Sequence, residues 1–224
     1  MMGILPQYIH IVNPKLKHIY LTLDNSGNLV VKSPKVPQHK IVQLLLKKAS
    51  WINASKKRFL EKKGKALDFY DNPELYFMGK AYPLVLIPHD KKDVQFEFKE
   101  DAFKLSYSVY DETVFQAHID LFYKKEVQKL IPSTVTLWAE KMSLSPQSVR
   151  FQKTKRQWGS CSAKNVLSFN TMMMKLPLPV IHYIIVHELA HIKHKHHQKD
   201  FWLLVECYLP DFKAQIQVLK HYTT

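Results

Sequence analysis

The segment that most limits what this chain can fold into runs from Pro177 to His197. It opens with prolines, which the first turn of a helix tolerates, and continues with apolar residues at most positions, so it predicts a buried helix. Within that helix His187, Glu188 and His191 form the pattern H-E-x-x-H. Residues four apart lie on one face of a helix about 6 Å apart. Both imidazoles can therefore reach one Zn²⁺ at about 2.1 Å each.

The acidic residue of the pattern points to hydrolysis. Glu188 follows His187 directly, so it lies about 100° further round the helix and need not bind the metal. It can instead hold a water molecule and take its proton, while zinc lowers the pKa of that water and polarises a carbonyl. The competing interpretation is a buried helix with two hydrogen-bonded histidines. The apolar helix and the further histidines downstream favour a zinc hydrolase site.

The identity of a third metal ligand stays open at this level. A catalytic zinc normally has three protein ligands and one open position. His197 lies six residues after His191, which on a continuous helix is a rotation of about 240°, so the chain must turn to bring it back. His194, which shares the helix face, and His196 are competitors, but both are more simply explained as solvated surface residues. Glu206 and Asp211 are carboxylate alternatives from the next helix.

Composition excludes several other classes. With 46% hydrophobic and 23% charged residues the chain is not disordered, and two cysteines are too few for a disulfide framework. No apolar run approaches the roughly 18 residues of a membrane span, so we expect no membrane association and a cytoplasmic location.

The charge distribution raises a question about nucleic acid. Residues 1–66 hold 13 basic and two acidic residues of a chain whose net charge is +14. This basic N-terminal third allows non-specific affinity for nucleic acid, although solubility alone explains it too. Specific base recognition is disfavoured, because the chain has only three arginines.

Periodicity predicts an α+β fold. Residues 1–110 indicate a β-rich N-terminal subdomain with one basic helix near residues 38–62, and residues 111–224 indicate a helical catalytic subdomain. A helix beginning near Asp111 is expected to break at Pro132. The segment from Val166 to Met173 is predicted to be a strand.

Two motifs resemble a known family. The stretch from His187 to His194, followed by His197 and by Phe201-Trp202, resembles the YgjP-like metallopeptidases, which are similar to the SprT-like and WLM zincins. Upstream, the stretch from Arg156 to Ser162 (R-Q-W-G-S-C-S) and then Asn170 match the same family, and the resemblance covers about residues 15–220.

The resemblance implies a zincin-like core that acts on a polypeptide substrate. It implies one catalytic Zn²⁺ on His187, His191 and His197, with Glu188 as the general base. Related zincins with the same six-residue gap often have glycine where this chain has His194.

The resemblance also suggests where substrate binds. In zincins a strand beside the active-site helix pairs with extended substrate through backbone hydrogen bonds. Val166, Ser168 and Asn170 are the substrate-strand candidates. Cys161 has two interpretations. It could act as a nucleophile or as a fourth metal ligand, or, more simply, it is part of a packed turn.

Some roles around the motif cannot be assigned from sequence. Phe201 and Trp202 are expected in the core, packing the last helices on the zinc helix. Candidates for an oxyanion stabiliser are Tyr183, His182 and Arg156. Two other functions stay open: a SprT-like protease acting on DNA-bound proteins, and a non-enzymatic binding module stabilised by zinc.

Overall fold

The computed structural model describes residues 6–24, 27–61, 67–70 and 73–224. The chain forms two compact units, residues 1–62 and residues 63–224. Among the described residues, no helix has the length and apolar character that crossing a membrane requires.

The first unit is a three-stranded sheet with two helices. Its strands and helices are β1 (Tyr8–Val12), β2 (Tyr20–Leu23), β3 (Leu29–Ser33), α1 (Gln38–Lys47) and α2 (Ala49–Leu60). Strand β3 is central, parallel to β1 and antiparallel to β2. Its own small core forms from the apolar faces of β3, α1 and α2: Leu29, Val31, Ile41, Leu45 and Ile52. The basic helix expected near 38–62 is therefore two helices that meet at Lys48.

Within its described residues, the second unit contains two sheets and four α-helices. Its first sheet, in the order β4-β5-β7-β6, is built from β4 (Glu74–Phe77), β5 (Lys80–Pro88), β6 (Gln95–Lys99) and β7 (Ala102–Tyr107). Its second sheet, in the order β8-β10-β9, is built from β8 (Ser148–Gln152), β9 (Gly159–Cys161) and β10 (Val166–Asn170). The helices are α3 (Glu112–Met142), α4 (Leu178–Lys193), α5 (Lys199–Tyr208) and α6 (Phe212–Leu219), with a 3₁₀ helix at Thr171–Lys175. The α+β prediction is confirmed, whereas the subdomain boundary near residue 110 stays a prediction.

The expected break at Pro132 is wrong, because α3 continues through it. Proline removes one backbone hydrogen bond and its ring presses on the preceding turn. Hydroxyls of the same turns add further hydrogen bonds to backbone carbonyls, as Thr134 Oγ1 does to the carbonyl of Leu130 at 2.9 Å. The helix also has a strong start, since the Asp111 carboxylate accepts hydrogen bonds from the backbone N–H groups of Thr113 and Val114.

Candidate metal centre

Helix α4 holds the first two imidazoles rigidly. It starts directly after Pro177, and most of its side chains are buried. His187 and His191 lie one turn apart on it, with ring centroids separated by 4.9 Å. Because both residues belong to a helix packed into the core, their relative position is set before any metal binds.

The chain then turns and brings a third imidazole to the same place. Helix α4 ends at Lys193, and His194 has an extended backbone with φ −126° and ψ 104°. His197 returns so that its Nε2 atom lies 3.0 Å from Nε2 of His187. One nitrogen from each of His187, His191 and His197 falls within 4.8 Å of the others.

The side chain of His194 does not join this group. Its backbone carbonyl instead accepts a hydrogen bond of 3.0 Å from Nδ1 of His191. This bond fixes the proton on Nδ1 and leaves Nε2 of His191 free to bind a metal. His194 therefore orients a second imidazole through its backbone.

The donor set fits a zinc ion. Burial, followed by the nearness of His191 and His197, lowers the pKa of His187 to about 3, so this imidazole is neutral at physiological pH. Burial also lowers the pKa of His191. Two nitrogens of a tetrahedral zinc site are about 3.3 Å apart, close to the 3.0 Å between the two Nε2 atoms. Neutral nitrogen donors at this spacing are what zinc binds.

Glu188 lies beside the three imidazoles but outside the group. Its side chain is only 6% exposed, and burial raises its pKa to about 8. Strand β9 passes directly over it: a Cβ atom on Gly159 would lie 2.7 Å from Cγ and 2.8 Å from Oε1 of Glu188. Only glycine leaves room for the carboxyl group in this position.

Most of the chain matches the model of one protein family. The family model described as "YgjP-like, metallopeptidase domain" matches residues 17–222. The chain belongs to the YgjP-like family. The resemblance carried by the two sequence motifs is thereby confirmed, and the chain carries a metallopeptidase domain, which acts on polypeptides and uses a metal, typically zinc.

Two solved structures are similar to parts of this YgjP-like chain. One is the metallopeptidase zymogen abylysin of Pyrococcus abyssi, 21% identical, covering 42% of this chain and 100% of that chain with a TM-score of 0.37. The other is the metallopeptidase zymogen jannalysin of Methanocaldococcus jannaschii, 23% identical, covering 39% of this chain and 93% of that chain with a TM-score of 0.35. The comparison with curated proteins finds no match. None of these findings supports nucleic-acid binding by the basic N-terminal third.

The strand predicted from sequence to bind substrate is paired on both of its edges within this YgjP-like domain. Strand β10 is central: β8 pairs with it along its whole length, and β9 pairs with its other side. Ser168 faces Arg150 on one side and Ser160 on the other, and the carbonyl of Val166 accepts from the N–H of Ser162. Its backbone groups are already used, so β10 cannot pair with a substrate.

Asn170 has a structural role instead. It is 2% exposed, and its amide nitrogen donates to the carbonyls of Thr154 and Gln157 at 2.8 and 3.0 Å. Its side-chain oxygen accepts from the N–H of Met172 and so caps the 3₁₀ helix. Asn170 thus joins the loop before β9 to the segment that leads into α4.

Cys161 and Lys195 meet at the edge of the site. Lys195, from the loop between the second and third imidazoles, donates to Asn165 Oδ1 at 2.6 Å and to the Ser162 carbonyl at 3.2 Å. Its Nζ lies 3.8 Å from the Cys161 sulfur. Burial nevertheless raises the pKa of the Cys161 thiol, which is unfavourable for a nucleophile. A structural role is the better explanation: Cys161 is the last residue of strand β9 and does not lie in a turn, and in the turn that follows Asn165 has a left-handed conformation with φ 58°.

The remaining candidates lie away from a ligand position. Glu206 is exposed near Lys213, and the Asp211 carboxylate accepts from Gln215 Nε2 at 2.6 Å. The ring of His182 packs edge-on against Trp138. Tyr183 does reach the site, but its hydroxyl lies 3.3 Å from Nδ1 of His187, so it orients an imidazole.

The aromatic pair after the third imidazole is closer to the site than sequence suggested. Phe201 is fully buried, and its ring centroid lies 5.0, 4.6 and 4.7 Å from those of His187, His191 and His197. It therefore forms an apolar floor under all three imidazoles. Gly159 is the other residue that the motif did not reveal; its place in the R-Q-W-G-S-C-S stretch was the available signal.

Proposed function

We propose that this chain is a zinc-dependent peptidase that binds a single Zn²⁺ through His187, His191 and His197 and uses Glu188 as its general base. The observation that supports this most directly is the convergence of three imidazole nitrogens within 4.8 Å of one another. Three nitrogen ligands leave one tetrahedral position for water or substrate, which is the arrangement of catalytic zinc sites.

The proposed division of labour follows from the positions of the side chains. When bound, zinc would polarise the scissile carbonyl, lower the pKa of a water molecule and favour the ionised form of the nearby Glu188 carboxyl. Glu188 accepts a proton from the attacking water and passes it to the leaving amine. Gly159 keeps the carboxyl group of Glu188 in place, because strand β9 leaves no space for that group to move towards the strand.

Strand β9 is the better candidate for binding an extended polypeptide. It lies at one edge of the sheet, and it pairs on its inner side with β10, where Ser160 faces Ser168. Backbone groups alternate along a strand, so those of Gly159 and Cys161 point towards the other side. That edge starts directly over Glu188. An added substrate strand would therefore bring its peptide bonds past the general base.

The geometry favours this function over a structural zinc site. A structural zinc is closed by four protein ligands. Within the part of the chain that the structure describes, the metal-binding group contains three ligand residues, and Cys161 is not among them. A site with an open position is suited to chemistry.

Four variants test the proposal. Glu188→Gln should keep one equivalent of zinc and lose peptide hydrolysis, while His187→Ala and His197→Ala should lose both. His194→Ala is the matched control, because it keeps the backbone carbonyl that orients His191 and should retain zinc and activity. Zinc content and cleavage of a peptide library are measured on the same preparations. Full activity of Glu188→Gln would refute the general base, and loss of zinc only in His194→Ala would refute the ligand set.

A further inference from the structure

Four aromatic rings form a row that begins at the third imidazole. The rings of His197 and Trp202 are 5.5 Å apart with an angle of 24° between their planes, and those of Trp202 and Phe212 are 5.5 Å apart with an angle of 16°. Phe212 and Tyr183 continue the row at 6.5 Å and 21°. These distances are those of offset-stacked aromatic pairs. We call these four residues the aromatic row.

The aromatic row joins two imidazoles of the metal site: one end contacts His187, and the other end is His197 itself. At one end Tyr183 places its hydroxyl 3.3 Å from Nδ1 of His187. At the other end Trp202 stacks on His197 and its indole N–H donates to the backbone carbonyl of His197 at 3.2 Å. The row therefore links the first imidazole, on α4, to the third, on a loop, through residues of α5 and α6.

The third imidazole needs such support more than the first two. His187 and His191 are held by the backbone of one buried helix, but His197 follows a turn and is exposed. Its ring has neighbours in Phe201 and in Trp202. Trp202 is only half-buried; Phe201 meets its ring edge-on, and Phe212 is the ring that stacks on it from the protein side of the row.

We propose that Phe212, at the start of α6, is a positioning residue for the metal site. The ring of Phe212 is 4% exposed and stacks on both Trp202 and Tyr183, so it sets the separation between the two ends of the row. A smaller side chain leaves a cavity that the neighbouring rings relax into only partly. Trp202 then moves with the His197 ring, and the three nitrogens no longer converge. This inference rests on the ligand set proposed above.

The test compares zinc affinity among variants with similar losses of buried surface. Phe212→Leu should bind Zn²⁺ about 10- to 100-fold more weakly than wild type in competition with a chromophoric chelator, the range typical of residues that orient metal ligands. Its Co²⁺ form should show a changed visible spectrum, and Phe212→Tyr, which keeps the ring, should restore both. Phe115→Leu is the matched control. Its fully buried ring packs against Phe69 on the far part of the core, so it should lose stability and keep wild-type zinc affinity.

The outcomes separate this inference from the proposed function. A wild-type protein that binds no zinc at these imidazoles contradicts the ligand set itself. A wild type that binds zinc, with Phe212→Leu matching it in affinity and Co²⁺ spectrum, overturns the positioning role alone. If Phe212→Leu does not fold, Trp202→Leu at its half-buried position makes the same test. Unchanged affinity in that variant would also overturn the inference.

Discussion

Replacing Gly159 with alanine should abolish most peptidase activity without removing the metal. The added Cβ would lie 2.7 Å from Cγ of Glu188, whereas carbon atoms in contact are normally 3.5–4.0 Å apart. The carboxyl group must therefore move by about 1 Å. Gly159 does not have a positive φ, so alanine strains no backbone there and the contact is the whole effect.

The magnitude follows from what Glu188 is proposed to do. Its side chain is almost fully buried, so it cannot move into solvent and must shift relative to the imidazoles. A displacement of about 1 Å at a reacting group can cost about 10²-fold in rate, or about 2.7 kcal/mol of activation free energy. The three atoms nearest the added methyl group all belong to Glu188, so zinc content should stay at one equivalent.

The assay measures cleavage of a fluorogenic peptide and zinc content in the same samples. Ser160→Ala is the matched control, because side chains alternate along a strand and Ser160 points to the opposite face of β9. Gly159→Ala combined with Glu188→Gln should be no slower than Glu188→Gln alone, since both changes act through one carboxyl group. Wild-type activity in Gly159→Ala, or additive losses in the double variant, would refute this reasoning.

Three other predictions concern residues outside the proposed ligand set. Asn170→Ala should lower the free energy of unfolding by about 3 kcal/mol, because it leaves several buried backbone groups unpaired; urea denaturation measures this, and a loss below about 1 kcal/mol would contradict it. Burial lowers the pKa of Lys175 from 10.5 to about 8. Between these two pH values the unfolded chain holds more protons than the folded one, so the free energy of unfolding should rise with pH by about 3 kcal/mol. Lys175→Met should remove that rise, and identical pH dependence in both proteins would show the reasoning to be wrong. Lys195→Met should weaken zinc binding about fivefold, because it releases the loop before His197, and Lys195→Arg should restore the affinity. Equal zinc affinity in the wild type and both variants would show that the hydrogen bonds of Lys195 do not hold this loop.

Helix α4 could be predicted because its signals are local. Prolines mark its start, and the four-residue spacing of His187 and His191 places both imidazoles on one face whatever surrounds the helix. The structure confirms a helix over Leu178–Lys193. The left-handed backbone of Asn165 is equally local in origin, since asparagine adopts this conformation more readily than most residue types.

Strand order could not be predicted, because it depends on contacts between distant segments. The alternating apolar residues Leu167 and Phe169 correctly indicate a strand, but they fit a central strand as well as one at an edge. Strand β9 has only three residues, and its glycine and small side chains give it no hydrophobic pattern. The R-Q-W-G-S-C-S stretch therefore suggests a turn, although Gly159–Cys161 forms strand β9 at the edge of the sheet.

The third imidazole shows where the limit of local reasoning lies. Spacing alone requires that the chain leave the helix before His197, and glycine at position 194 is one way to do that. In this chain His194 ends the helix with an extended backbone, a conformation that histidine adopts without strain. The loop is then held by distant partners: Lys195 reaches the turn after β9, and Trp202 stacks on the His197 ring. In this chain these partners hold the loop that brings the His197 ring back to the other two imidazoles. A chain with the same gap but without the lysine and the tryptophan should show weaker zinc binding.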